Sequence, residues 1–355
     1  MKKVLHVFHH LNNGGTENVI KSIISNLNNE FLFDFLVSDH GTNEKDFCIN
    51  GNHIFKIITK SKFLYFFKML NFFKDNKYDV VHIHMCGMMY VSCLAAHFAG
   101  VKNIIIHSHS GIKNPNKVIK FVRAIYEFLF FIYATTYFGC SQIALDYIFP
   151  LKLKKSYIIF NGIDIKRYCY NKNARKKIRR EFLLSENDKI ITNVGRLENE
   201  KNQLKIIDIA KNDCFSNHKY FIVGDGSLFD RLKKEILNNC LEKKVFLLGE
   251  RKDIPDLLSA SDLFLLTSIM EGLGIVLIEA QASGLQCIVS EAIPLEADLK
   301  LGLFNQIDLD SNWNELINKL LSIKQIDRKK INCLACSTDY DFNKVCIKIK
   351  EFYNS

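Results

Sequence analysis

With 355 residues, 48% of them hydrophobic and 24% charged, the chain is too long for one ordinary core and suits two domains of a soluble globular protein. Its eleven cysteines follow no framework spacing and adjoin no secretory signal, which excludes a disulfide-stapled scaffold and reads as reduced thiols in a cytosolic protein. The net charge of +10 is uneven, with 20 Lys+Arg against 11 Asp+Glu through Tyr170 and 28 against 27 after it, and without any nucleic-acid motif the basic half points to an anionic lipid surface.

Val4–Phe8 is predicted as a first strand, followed by the loop Leu11-Asn-Asn-Gly-Gly15 and a helix from about Thr16. Thr16 suits the cap of that helix and Glu17 its first turn, and Gly14–Gly15 leave room for a phosphate at the helix N-terminus. Phe33–Val37 and Ile54–Ile58 read as strands. Lys60–Asp75 reads as a helix with too many aromatics for one core face, so membrane contact competes with a core helix whose lysines snorkel. DVVHIH (Asp79–His84) is a buried strand ending in histidines, then a helix to Gly100. Asn103–Ile106 is the next strand, with His107 and His109 at its carboxyl end. The apolar run Phe128–Phe138 falls short of the ~20 residues needed to span a bilayer and is expected to be a buried helix continuing from Val118, with partial membrane contact as the alternative. Tyr137–Cys140 is a strand, and the polar, basic run Asn171–Arg180 is the expected linker.

The second half opens on a strand, Lys189–Val194, and a loop carrying Arg196 and Lys201, two cations placed to clamp a diphosphate between strand and helix. Tyr220–Val223 leads into Gly224-Asp-Gly226, and Val245–Leu248 into Gly249–Arg251. Ser261–Ser290 then reads as strand (Leu263–Leu266), loop, helix (about Gly274–Ala282) and strand. Glu271 and Glu279 flank the loop, while Gly272 and Gly274 let backbone amides approach an anion at the helix N-terminus. Such loops lie at the carboxyl ends of strands, where open α/β sheets bind ligands. Asp308-Leu-Asp310 falls too far from any nucleotide-binding unit to be a metal motif, and Cys333-Leu-Ala-Cys336 lacks a second pair. No metal site and no cofactor are expected.

The run E-G-L-G-I-V-L-I-E-A-Q-A-S-G from Glu271 to Gly284 resembles the donor-sugar loop of family 4 retaining glycosyltransferases, E-G-(F/L)-G-x-x-x-x-E-A-x-A-x-G. Gly195-Arg196-Leu-Glu-Asn-Glu-Lys201-Asn resembles the same family's G-R-(L/F)-x-x-x-K-(G/N), and Asn161-Gly-Ile-Asp164 the segment closing its first domain. Ser290–Glu296 departs from the pattern, since many relatives carry a glycine before the proline where this chain has Ile293.

The resemblance implies the GT-B fold: two Rossmann-like, doubly wound α/β domains facing a central cleft. The expected domains are 1–170 on the acceptor side and 171–338 on the nucleotide-sugar side, with 339–355 a helix crossing back. It implies a retaining hexosyltransferase that uses a nucleotide-diphosphate sugar, UDP-linked in the commonest case, and a glycan or polyprenyl-linked acceptor of surface polysaccharide synthesis. It assigns donor binding to Gly15, Arg196, Lys201, Gly272, Leu273, Gly274 and Glu279, and the catalytic site to Glu271 and a strand-end histidine. That histidine aligns with His109, with His107 left open. Glu279 would hold the ribose and Glu271 the sugar hydroxyls. The expected location is cytoplasmic, with peripheral contact at the inner face of an anionic membrane and no nucleic-acid partner. A GT-B sugar-nucleotide epimerase, which should lack the paired glutamates, and a non-catalytic nucleotide-sugar-binding subunit are the alternatives.

Overall fold

Apolar runs that do not alternate belong in sheets covered on both faces, and the computed structural model places them there. It describes residues 1–9, 11, 15–39, 47, 52–84, 89–109, 116–323 and 327–355. Two units result, Met1–Gly162 with Phe342–Ser355, and Ile163–Asp341.

The first unit runs β1 (Lys2–Phe8), α1 (Gly15–Leu27), β2 (Phe31–Val37), β3 (Ile54–Lys56), α2 (Lys62–Asp75), β4 (Val80–His84), α3 (Met89–Phe98), β5 (Asn103–Ser108), α4 (Lys117–Leu129), β6 (Thr136–Gly139), α5 (Gln142–Ile148) and β7 (Ser156–Ile158). Its sheet is parallel in the order β3-β2-β1-β4-β5-β6-β7, so the direction of winding reverses between β1 and β4. The core packs Leu5, Val7, Val81, Ile83, Ile104 and Ile106 of the sheet against Tyr65, Met69 and Phe73 of α2.

The second unit runs α6 (Lys172–Glu181), β8 (Lys189–Val194), α7 (Leu204–Asn212), β9 (His218–Val223), α8 (Phe229–Asn238), β10 (Val245–Leu247), α9 (Ile254–Ala260), β11 (Leu263–Leu266), α10 (Ile275–Ala282), β12 (Gln286–Ser290), β13 (Phe304–Ile307), α11 (Trp313–Ser322) and α12 (Arg328–Ala335). Its parallel sheet is ordered β10-β9-β8-β11-β12-β13, and winding reverses between β8 and β11. The last helix, α13 (Phe342–Asn354), belongs to the first unit: Lys350 pairs with Glu30 at 2.5 Å, and Lys2 Nζ donates to the Tyr353 and Asn354 carbonyls at 3.0 Å.

Two expectations fail here. The basic run 171–180 is no linker but helix α6, capped by the Asn171 side chain. Arg175 and Arg179, one turn apart, share a helix face and reach the two carboxylate oxygens of Asp262 at 2.9 and 2.7 Å, so this part of the run is buried in charge-assisted bonds. The run 128–138 is not one buried helix either. Helix α4 stops at Leu129, a short 3-10 turn follows, and β6 begins at Thr136.

Helix α4 is also turned outward. Val118, Phe121, Val122, Ile125, Phe128 and Leu129 are exposed, whereas Glu127 is buried and accepts from the backbone N–H groups of Leu151 and Leu153 at 2.7 and 2.9 Å. Among the described residues no helix is long and apolar enough to cross a membrane.

Candidate functional site

Loops leaving β8, β9 and β11 meet at the reversal point of the second sheet. Gly224 follows β9 with φ +139°, and a Cβ there would lie 1.9 Å from the Gly195 carbonyl oxygen, so only glycine lets the two loops touch. Backbone bonds from Gly195 to Val223 and from Leu197 to Asp225 hold the first loop against the second. Thr267 Oγ1 donates to the Asn202 carbonyl at 3.0 Å, and Ile269 N–H to the Glu200 carbonyl at 2.8 Å, which fixes the third.

The predicted donor residues of this unit gather around these loops. Arg196 is exposed, its backbone carbonyl gripped by the buried side chain of Gln203 at 2.9 Å. Lys201 is one-fifth exposed and its ammonium sits 2.5 Å from Glu271 Oε1, which also accepts from Ser268 Oγ at 3.2 Å. Leu273 is buried, and Gly274, at φ +79°, caps α10 without any side-chain bond. The first turn of α10 therefore has no side chain of its cap satisfying its N–H groups, which suits an approaching anion.

Glu279 lies on α10 and is largely buried. Burial raises its carboxyl to about 7, opposed by a hydrogen bond from the Tyr168 hydroxyl and by the charge of Arg167. Tyr168, Gln203 and Ser268 were not legible as site residues. Nothing in their spacing marks them, and only the fold brings them to the loops.

Asp308 accepts from the Asp310 N–H at 2.7 Å in a turn ahead of α11, as local capping does. Arg251 is committed to Glu181 and Asp253 at 2.7 and 2.8 Å.

In the first unit, Gly15 is the first residue of α1, and Gly14 lies outside the described residues. His107 is buried in β5 and His109 lies just beyond the strand. Neither stands alone, because β1 and β4 add His6, His82 and His84. Nδ1 of His6 is 2.9 Å from Nε2 of His84, and Nδ1 of His84 is 2.9 Å from Nε2 of His109. His109 Nδ1 reaches Asn161 Oδ1 at 3.3 Å. His82 joins Tyr353 OH at 2.7 Å and His107 Nδ1 at 3.2 Å.

Burial lowers every ring of this stack: His6 to about 3, His109 to about 4, and His82, His84 and His107 well below 6.5, the last three also by their neighbouring rings. All five are neutral at pH 7. Of these contacts the sequence signalled the histidines that end β4, but not Asn161 or Tyr353 as their partners.

Comparison with known proteins agrees with this geometry. Residues 13–167 match the model described as Glycosyltransferase Family 4, and residues 174–332 that of Glycosyl transferases group 1. The chain is 32% identical over 306 residues to the Escherichia coli UDP-Gal:alpha-D-GlcNAc-diphosphoundecaprenol alpha-1,3-galactosyltransferase, covering 79% of this chain and 76% of that one. It is 30% identical to the Staphylococcus aureus capsular polysaccharide biosynthesis glycosyltransferase CapH, over 100% of this chain and 99% of that one. Among solved structures, Anabaena HepE in complex with UDP superposes with a TM-score of 0.84 over the whole of both chains at 20% identity, a likeness of fold.

Proposed function

The chain belongs to the family 4 glycosyltransferases, built on the GT-B fold, and from that premise we propose that it moves a hexose from a UDP-linked sugar to a polyprenyl-linked glycan, with retention at the anomeric carbon. The observation that carries the reading is the cationic loop pair at the reversal point of the second sheet: exposed Arg196, and Lys201 held against Glu271 at 2.5 Å, beside the α10 N-terminus.

As the sugar leaves, negative charge grows on the β-phosphate. Arg196, Lys201 and the amides near Gly272 and Gly274 are preorganised to stabilise it without a metal on the diphosphate. Glu271 keeps Lys201 in position before the donor arrives and accepts from sugar hydroxyls, while Glu279 accepts from the ribose. His109 stays near the reacting carbon as a neutral ring. With its basicity so low, it is a poor proton acceptor at pH 7. That supports same-face attack in which the departing phosphate takes the acceptor's proton.

The outward apolar face of α4, with Lys117 and Lys120 exposed beside it, supports peripheral docking on an anionic cytoplasmic membrane surface, where a polyprenyl acceptor would lie. A panel of nucleotide sugars tests the reading. One UDP-sugar should raise the melting temperature most and be consumed in transfer to a polyprenyl diphosphate glycan. Stabilisation by none of them, or conversion of the sugar with no acceptor product, would overturn it.

A further inference from the structure

Proton bookkeeping in the histidine stack leaves one atom over. Asn161 Oδ1 has no proton to give, so His109 donates from Nδ1 and accepts at Nε2 from His84 Nδ1–H. His84 Nε2 then accepts from His6 Nδ1–H, and His6 Nε2 faces the Tyr353 hydroxyl at 3.5 Å. Tyr353 has one proton. If it goes to His6, His82 donates to Tyr353 and His107 Nδ1 donates to His82, leaving His107 Nε2 a bare lone pair. If it goes to His82, the relay reverses and His107 Nε2–H has no acceptor. In either case that nitrogen, on a ring 2% exposed, has no side-chain partner among the described residues; a backbone group of Ile159 stands beside the ring and raises its basicity against the effect of burial. A buried polar atom left unpaired is costly in a native structure.

We propose that His84, His107 and His109 bind a borderline divalent cation of the zinc class, with the fourth position open. One ring nitrogen of each lies within 4.8 Å of the others. Binding requires His84 to carry its proton on Nε2 and donate it to His6 Nδ1, the reverse of the metal-free relay; the nitrogens then left for the ion are His84 Nδ1, His109 Nε2 and the orphaned His107 Nε2. Each ligand then has a partner for its other nitrogen: His6 for His84, His82 for His107 and Asn161 for His109. That is the outer shell which fixes ring orientation and tautomer at metal-bound imidazoles. Three neutral imidazoles with one open position form an established donor set for zinc. Ligand nitrogens about 2.0–2.1 Å from a tetrahedral zinc stand about 3.3 Å apart, so binding opens the 2.9 Å His84–His109 contact and draws His107 in. All three ligands are in the first unit, whereas Arg196 and Lys201 are in the second. The site is therefore built from residues of the first unit alone.

The test uses the full chain, stripped by chelator dialysis and titrated with Co2+ as a coloured stand-in for Zn2+. The expected result is the visible absorption of a tetrahedral site, saturating at one ion per chain, displaced by Zn2+ and unchanged in Cys333→Ser. His107→Gln should abolish it. Asn161→Ala, which leaves all three ligands in place, should weaken Co2+ affinity about 10–100-fold. An absence of stoichiometric uptake overturns the proposal. So does uptake that survives His107→Gln, uptake lost in Cys333→Ser, or unchanged affinity in a folded Asn161→Ala chain.

Discussion

The two sheets reverse their winding at equivalent places and do opposite things with the polar groups found there. At the β8/β11 reversal, charge is kept near water: Arg196 is exposed and Lys201 one-fifth exposed against its carboxylate. At the β1/β4 reversal, five imidazoles are stacked and uncharged, four of them buried and His109 partly exposed. Topology supplies the position, and burial decides whether the groups there act as charges or as neutral donors and acceptors.

Acid should separate the two most sharply. A buried histidine whose folded pKa is depressed contributes stability that is fully present above the unfolded value near 6.5 and is lost as pH falls through the folded one. For His109 the window runs from about 6.5 down to about 4. Each such ring costs about 1.4 kcal/mol per pH unit in that window. In the second unit Asp213, lowered to about 2 chiefly by hydrogen bonds that outweigh its desolvation, keeps its contribution until pH falls below 3.8. Near-ultraviolet circular dichroism and hydrogen exchange at pH 5 should show the first unit opening while the second holds. Simultaneous opening would erase the contrast.

Next in size is the charged loop. Lys201→Ala removes a charge-assisted phosphate contact of about 1.5–3 kcal/mol, a drop in kcat/KM of roughly 10- to 150-fold, with the melting temperature little changed. Unchanged kinetics would remove Lys201 from the donor site.

Glu279 gives a smaller effect: its pKa is shifted the opposite way to those of the histidines, but its contribution is likewise lost towards acid. Its carboxyl, raised to about 7 by burial, is protonated in mild acid and then accepts poorly from ribose hydroxyls. Affinity for an intact UDP-sugar should fall severalfold between pH 8 and pH 6 and level off above 8, and Glu279→Gln should flatten the profile. Calorimetry with the sugar nucleotide, whose diphosphate does not titrate in this range, reads this directly. A wild-type profile that is already flat would reject the ribose assignment.

The smallest effect concerns the surface of the first unit. Lys120→Gln should weaken binding to anionic vesicles about fivefold, since one basic residue near such a surface is worth about 1 kcal/mol. Sedimentation with neutral vesicles should not change. Equal wild-type binding to both would argue against the electrostatic part.

The same contrast explains what the sequence made legible. The donor loops are short and contiguous, so Arg196 and Lys201, or Glu271 and Glu279, keep a spacing that can be read directly. Most strands of both sheets could likewise be read from their unbroken apolar runs, but not the polar, partly exposed edge strands β7 and β13. The histidine stack draws on positions 6, 82, 84, 107, 109, 161 and 353, which only strand register and the return of α13 bring together. Charge density also misled: the run 171–180 looks solvated until Asp262, more than eighty residues later, meets Arg175 and Arg179. At α4 the apolar period was visible, but its outward direction depends on Glu127 turning inward to the backbone of Leu151 and Leu153.

The return of α13 has a consequence for the order in which the protein is made. The second unit is one continuous segment, Ile163–Asp341, and can fold as soon as it has been synthesised. The first unit cannot be completed then, although its seven strands come first, because Tyr353 still has to reach His82 and Lys2 has to meet the Tyr353 carbonyl. Until α13 emerges, the nascent chain leaves uncovered the part of the first unit's sheet that Tyr353 reaches. Of the two units, the one begun first is thus the last to be finished.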